Sequence, residues 1–175
     1  MELRIRTCRE LADTLASGLV TNEEWAGYLD GLGERPADVA GLTLDEFGRL
    51  SEAANDIATV QTWRAIKGLP PLTEADGANE FVHELAAIRG GVRMVEQAFA
   101  KIPRPSLSAA ERAAGYGGND GFGLFGLVDT LARRQGLTDE EAKKITVANA
   151  IGKLSIDGLA AARERRVMEI QAKRR

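Results

Sequence analysis

Residues 21–32, Thr-Asn-Glu-Glu-Trp-Ala-Gly-Tyr-Leu-Asp-Gly-Leu, contain two independent signals for an α-helix. Thr21 and Glu24 have the spacing of a capping box, in which each side chain accepts a hydrogen bond from the other residue's backbone N–H. The apolar residues then recur at i, i+3, i+4 and i+7, as Trp25, Tyr28, Leu29 and Leu32. This spacing places them on one face, so the stretch predicts a capped helix that packs through one side.

The same Ser/Thr-x-x-Glu spacing occurs at four other places in the chain. These are Thr7–Glu10, Thr43–Glu46, Ser108–Glu111 and Thr138–Glu141. Because a helix start leaves four backbone N–H groups without partners inside the helix, such boxes mark helix starts. Aromatic residues make up only 5% of a chain that is 44% hydrophobic, which favours a core of aliphatic side chains between helices. The sequence therefore predicts an all-α protein, a helical bundle.

The order of helices and breaks predicts three regions. Residues 1–100 form an N-terminal helical core, in which 43–66 is expected to be one long helix. Residues 101–123 form a Gly/Pro-rich connector, and 124–175 form a C-terminal helical hairpin with a basic tail. A single domain overall is the alternative, because 175 residues fit one domain.

Four glycines leave it open whether two of the predicted helices are continuous. Gly90-Gly91 lies in the middle of the helix expected over 78–100, and glycine is a poor helix former. Gly152 and Gly158 are the positions where the last helix could kink or divide.

Composition and charge narrow the classes of function. The single cysteine, Cys8, excludes an internal disulfide and a cysteine-based zinc cluster. There is no signal peptide and no apolar run long enough to span a membrane, so we expect a cytoplasmic protein. Residues 1–59 hold twelve acidic against five basic residues, whereas 159–175 hold six basic against two acidic.

The sequence predicts no catalytic, cofactor-binding or metal-binding residues. His83 is the only histidine, and Glu80 and Glu84 beside it have the i, i+4 spacing of ordinary helix-surface charges. The glycine-rich stretch 115–126 follows no strand and contains no Gly-Lys-Ser/Thr, so neither a dinucleotide fingerprint nor a P-loop is present. We therefore expect a non-enzymatic protein; an enzyme with a site near His83 is the least favoured reading.

A small helix-turn-helix DNA-binding protein is the alternative function. With Gly136 as the turn glycine, Ala132 lies four residues earlier, where close helix packing needs a small residue. The second helix, however, begins Asp139-Glu140-Glu141, and phosphate contacts dominate affinity for DNA. Three carboxylates at that end do not favour nucleic acid as a partner.

The C-terminal third resembles a known class of proteins. Residues 121–132, Gly-Phe-Gly-Leu-Phe-Gly-Leu-Val-Asp-Thr-Leu-Ala, are followed by Gly136, an acidic helix start and an Ala/Leu helix ending in Arg-Glu-Arg-Arg. This pattern, over roughly 118–170, resembles small bacteriophage tail-assembly proteins of the chaperone-like type. The resemblance implies an α-helical, non-enzymatic protein that binds other tail proteins during assembly, and it assigns no functional residues.

Two groups of residues are candidates for contact with a partner protein. The first is the aromatic set on the glycine-rich stretch, Tyr116, Phe122 and Phe125, since aromatic side chains bury large areas when they dock. The alternative is that Phe122 and Phe125 are core contacts at i, i+3. The second is the basic set Arg163, Arg165 and Arg166. The sequence identifies neither the partner nor the oligomeric state.

Overall fold

A computed structural model describes residues 7–73, 77–102 and 123–172. These residues form eight helices: α1 Cys8–Ala16, α2 Asn22–Gly31, α3 Leu44–Ser51, α4 Asp56–Ile66, α5 Ala78–Ala100, α6 Gly123–Gln135, α7 Asp139–Lys143 and α8 Val147–Ala172. The only extended pairings within these ranges are two isolated antiparallel bridges, Thr7 with Gly77 and Thr43 with Thr146. The predicted all-α class is confirmed.

The chain divides into two compact units. The first comprises Met1–Val39 and Glu46–Met94, and the second comprises Ala40–Asp45 and Val95–Arg175. The assignment of the short segment Ala40–Asp45 to the second unit is a feature that the sequence does not predict. Most of the predicted connector 101–123 lies outside the described residues, so its structure stays a prediction.

The predicted capping boxes at the starts of α1, α2 and α7 are confirmed. At α2 the backbone N–H of Glu24 donates to Thr21 Oγ1 at 3.2 Å, and the N–H of Thr21 donates to Glu24 Oε2 at 2.9 Å. Thr7 and Thr138 cap α1 and α7 in the same reciprocal way. Thr43 directly precedes α3, and the box at Ser108–Glu111 lies outside the described residues.

Two of these caps use a glutamate carboxylate, so they make the free energy of unfolding depend on pH in the acid range. Hydrogen bonds from the backbone and hydroxyl of Thr21 lower the pKa of Glu24, and Thr138 lowers the pKa of Glu141 in the same way. A lowered pKa in the folded state means that the ionised carboxylate favours folding at neutral pH. This contribution declines as pH falls below the ordinary glutamate value of 4.5 and is lost below the folded pKa.

We therefore expect Glu24→Gln to reduce the pH dependence of stability. Glutamine keeps an acceptor for the Thr21 N–H but does not titrate. In urea unfolding, the wild type should have a larger free energy of unfolding than the variant at neutral pH. This difference should shrink well below pH 4.5. A difference that stays constant with pH would show that the Glu24 carboxylate does not contribute in this way.

The long helix predicted over 43–66 is wrong, because the chain forms α3 and α4 with a break at 52–55. Asn55 is the N-cap of α4, with extended backbone and a side chain that accepts from the Ala58 N–H at 2.9 Å. Asparagine is among the strongest N-cap residues. It restarts the helix without the Ser/Thr-x-x-Glu spacing on which the prediction relied.

The first unit is held together by buried aliphatic side chains and by polar contacts between its helices. Leu11, Leu29, Val60 and Leu85 are buried in its core. Asp56, at the start of α4, accepts from Trp25 Nε1 at 2.7 Å and from Arg89 at 2.7 Å, which ties α2 and α5 to α4.

The helix α5 is continuous through Gly90 and Gly91, and the structure explains why the second of them is a glycine. The loop after α2 crosses α5 here, and the Ala37 N–H donates to the Ala87 carbonyl at 2.8 Å. A Cβ at Gly91 would overlap the Ala37 carbonyl oxygen and lie 2.6 Å from a Val39 methyl. Glycine therefore allows the loop to approach the helix backbone.

In the second unit, the segment 40–44 lies against the start of α8. The N–H groups of Ala148 and Val147 donate to the carbonyls of Ala40 and Leu42, at 2.9 and 2.8 Å. Two of the N–H groups that a helix start leaves without internal partners are thereby satisfied.

The hydrogen bonds to Ala40 and Leu42 lie at the point where the predicted last helix divides into α7 and α8. The expected division near Gly152 or Gly158 is wrong, because the break lies at 144–146 and α8 runs through both glycines. Two of the partners at this helix start are remote in sequence, and a third is the local cap Thr146, whose Oγ1 accepts from the Asn149 N–H at 3.3 Å. The predicted turn at Gly136 is present, with a φ of +64° that favours glycine.

Candidate protein-binding surface

One side of α8 is packed into the protein. Its buried residues are Val147, Ala150, Leu154 and Gly158. They recur at intervals of three and four residues, which places them along one side of the helix. The opposite side of α8 carries none of these buried residues.

The opposite side of α8 exposes a second apolar row. We define the α8 stripe as the five residues Ile156, Ala160, Arg163, Val167 and Ile170, all of which are exposed. Their spacing of 4, 3, 4 and 3 is the heptad spacing by which one helix packs against another. The three large apolar members are between 47% and 69% exposed, and Leu159, at 52%, lies at the edge of the stripe.

The end of α8 is exposed on every side. Each residue from Arg166 to Ala172 is exposed, including Met168, which lies on the side of the helix that is buried further upstream. Most helical stability in proteins comes from tertiary packing, and these exposed residues gain none of it from the described part of the chain. Three of these seven residues are large and apolar: Val167, Met168 and Ile170.

The predicted basic set lies on α8, and its three members differ in environment. Arg163 is a member of the stripe and Arg166 lies beside it, and both are exposed. Arg165 is half-buried on the other side of the helix. The structure thus brings two of the three predicted arginines to the exposed apolar row.

The predicted aromatic set is largely outside the described residues. Tyr116 and Phe122 lie in the part of the chain that is not described, and Phe125 lies in α6 without a described side chain. Their role in binding a partner stays a prediction.

The sequence reasoning missed the apolar residues of the stripe. The signal that could have found them is the heptad spacing from Ile156 to Ile170, which includes the predicted residue Arg163.

The residues around His83 form structural contacts. His83 Nδ1 lies 2.6 Å from Glu34 Oε1, and its Nε2 lies 3.2 Å from Asn79 Oδ1. Glu80 and Glu84 share a face of α5, and both bind the guanidinium of Arg64, at 3.0 and 2.7 Å. These hydrogen bonds raise the pKa of Arg64, so the arginine keeps its positive charge in this partly buried cluster.

The acidic start of α7 is also engaged within the chain. Glu141 belongs to the Thr138 capping box, and Glu140 binds Lys143 Nζ at 2.7 Å. The Lys143 ammonium lowers the pKa of Glu140, and the pKa of Lys143 is raised in turn. The helix that the DNA-binding alternative would insert into a groove is five residues long.

A cavity of about 410 Å³ lies in the first unit between α1 and α4. Apolar side chains such as Val60, Leu72 and Phe81 line it together with Cys8 and Gln61. Within the described ranges, no three His, Cys, Asp or Glu residues are grouped so that they could hold a metal ion.

None of the described helices is both long and apolar enough to cross a lipid bilayer. No protein-family model, curated protein or solved structure matches this chain.

Proposed function

We propose that this protein is a non-enzymatic assembly protein that binds a partner protein through the α8 stripe. The observation that carries the proposal is a row of exposed apolar residues, Ile156, Val167 and Ile170, at the spacing of a helix–helix interface. Exposed contiguous apolar surface on a folded protein marks sites of interaction. The fully exposed end of α8 supports the same reading, because a bound partner would cover it.

The proposed process is the assembly of a bacteriophage tail. The support for it is the resemblance of residues 118–170 to small chaperone-like tail-assembly proteins, a region that includes most of α8. The partners would then be tail components such as the tube or tape-measure protein. Genes for these proteins next to the gene for this chain would support the assignment, whereas neighbouring genes for metabolic enzymes would remove it.

Neutral polar replacements in the stripe test the binding surface. In the double variant Ile156→Gln with Val167→Gln, we expect capture of the partner from host lysate to fall by about 100-fold or more, because each buried aliphatic side chain contributes roughly 1.5–3 kcal/mol. Quantitative mass spectrometry after affinity capture measures this loss. The melting temperature should stay nearly unchanged, because both residues are exposed.

The matched control replaces two apolar residues that are equally exposed but lie outside α8. Leu19 is 70% and Met94 is 59% exposed, and Leu19→Gln with Met94→Gln should retain the partner. If the stripe variant captures the same proteins as wild type, the stripe is not the binding surface. If the partner that it loses is not a tail component, the stripe is supported as a binding surface and the role in tail assembly is contradicted.

A further inference from the structure

Arg163 lies at the centre of the α8 stripe. It follows Ile156 by seven residues and precedes Ile170 by seven, so it interrupts an otherwise apolar row at its midpoint. It is exposed, and no hydrogen bond or ion pair joins its side chain to another described residue. Arg166 lies one turn further along the same side and adds a second positive charge.

This position opposes pairing of the stripe with a second copy of itself. Because Arg163 is the midpoint, a copy that covers the whole row brings Arg163 opposite its own counterpart in either the parallel or the antiparallel direction. Like charges placed face to face across an interface repel. The stripe is therefore suited to a partner with a different sequence.

We propose that the α8 stripe binds an amphipathic helix of another protein that carries an aspartate or glutamate in the middle of its apolar face. This inference rests on the proposed function and specifies its partner. Apolar residues of the partner would cover Ile156 and Val167 on either side of the centre. A carboxylate at the centre would accept charge-assisted hydrogen bonds from Arg163, in the bidentate geometry that guanidinium groups favour.

Designed peptides test the proposal with the full chain. The probe is a labelled amphipathic helical peptide with one glutamate in the middle of its apolar face, and the matched peptide has lysine at that position. Fluorescence anisotropy should show that wild type binds the glutamate peptide at least about 10-fold more tightly. Arg163→Glu should reverse this preference, and Arg163→Lys should keep it in weaker form.

A charge reversal elsewhere serves as the control. Arg133 on α6 is exposed and binds Asp129 of the same helix, and Arg133→Glu should leave the preference for the glutamate peptide unchanged. Three results would overturn the proposal: equal binding of the two peptides by wild type, no binding of either, or no effect of Arg163→Glu.

Two further measurements address other occupants of the stripe. A dimer in light scattering that Ile156→Gln dissociates would show that a second copy covers it. Binding to phosphatidylserine vesicles but to neither peptide would show that it binds a membrane surface. Either result would overturn the proposal.

The proposed function can fail separately from this inference. If the host partner is lost with Ile156→Gln and Val167→Gln but retained with Arg163→Glu, the binding surface stands and the acidic partner helix is wrong. If the host partner survives the replacement of Ile156 and Val167, the proposed function itself fails.

Discussion

Replacing Gly91 with alanine is expected to destabilise the protein by about 1–3 kcal/mol, although alanine is the better helix former. The added Cβ would overlap the Ala37 carbonyl oxygen and lie 2.6 Å from the Val39 methyl group. Val39 is fully buried, and the Ala37 N–H is hydrogen-bonded to the Ala87 carbonyl, so neither neighbour can move without losing contacts. Urea unfolding monitored by circular dichroism measures the loss.

The adjacent glycine provides the control for this prediction. A Cβ at Gly90 would meet Pro36 at 3.5 Å, which is ordinary van der Waals contact. Gly90→Ala should therefore be neutral or stabilise the protein by up to about 1 kcal/mol through helix propensity. Equal effects of the two substitutions would show that the loop at Ala37 does not press on α5 as the structure describes.

The helices could be predicted where their signals are local. The Thr21 box carries its own cap and its own apolar face within twelve residues, and the structure has α2 where the sequence predicts it. The break before α4 is also local, but its signal is Asn55, which the Ser/Thr-x-x-Glu pattern does not include.

The start of α8 could be predicted only in part. Thr146 is a local cap, whose Oγ1 accepts from the Asn149 N–H at 3.3 Å. The N–H groups of Val147 and Ala148 donate instead to the carbonyls of Leu42 and Ala40, more than a hundred residues away in the sequence. Gly91 presents the same difficulty, because only the position of the loop at 36–39 shows why a glycine stands in the middle of a helix.

The sequence predicts the basic residues of the candidate surface but not its apolar residues. The basic end of the chain is visible in composition, and Arg163 and Arg166 are exposed on α8. The apolar residues of α8 lie on two opposite sides, one with Leu154 and one with Ile156. Periodicity alone does not reveal which of these sides the rest of the protein covers.

The largest single effect is expected from removing the charge of Arg64. This arginine is only 9% exposed, and it binds Glu80 and Glu84 and donates from Nε to the Pro70 carbonyl at 2.6 Å. Arg64→Met keeps an apolar stem but leaves the Glu84 carboxylate, itself 16% exposed, without its counter-ion. Removing one partner of a buried pair costs about 3–5 kcal/mol, measurable by urea unfolding.

A second substitution shows whether the unpaired Glu84 carboxylate or the other lost contacts of Arg64 cause that loss of stability. If the unpaired carboxylate is responsible, adding Glu84→Gln to Arg64→Met should restore part of the stability, because the charge left buried is then gone. The exposed pair Arg133–Asp129 is the surface control, and Arg133→Met should change stability by less than about 1 kcal/mol. If Arg64→Met were no more costly than Arg133→Met, Arg64 would not hold α4 to α5. An unchanged loss in the double variant would instead assign the cost to the lost hydrogen bond to the Pro70 carbonyl and to the shorter methionine side chain.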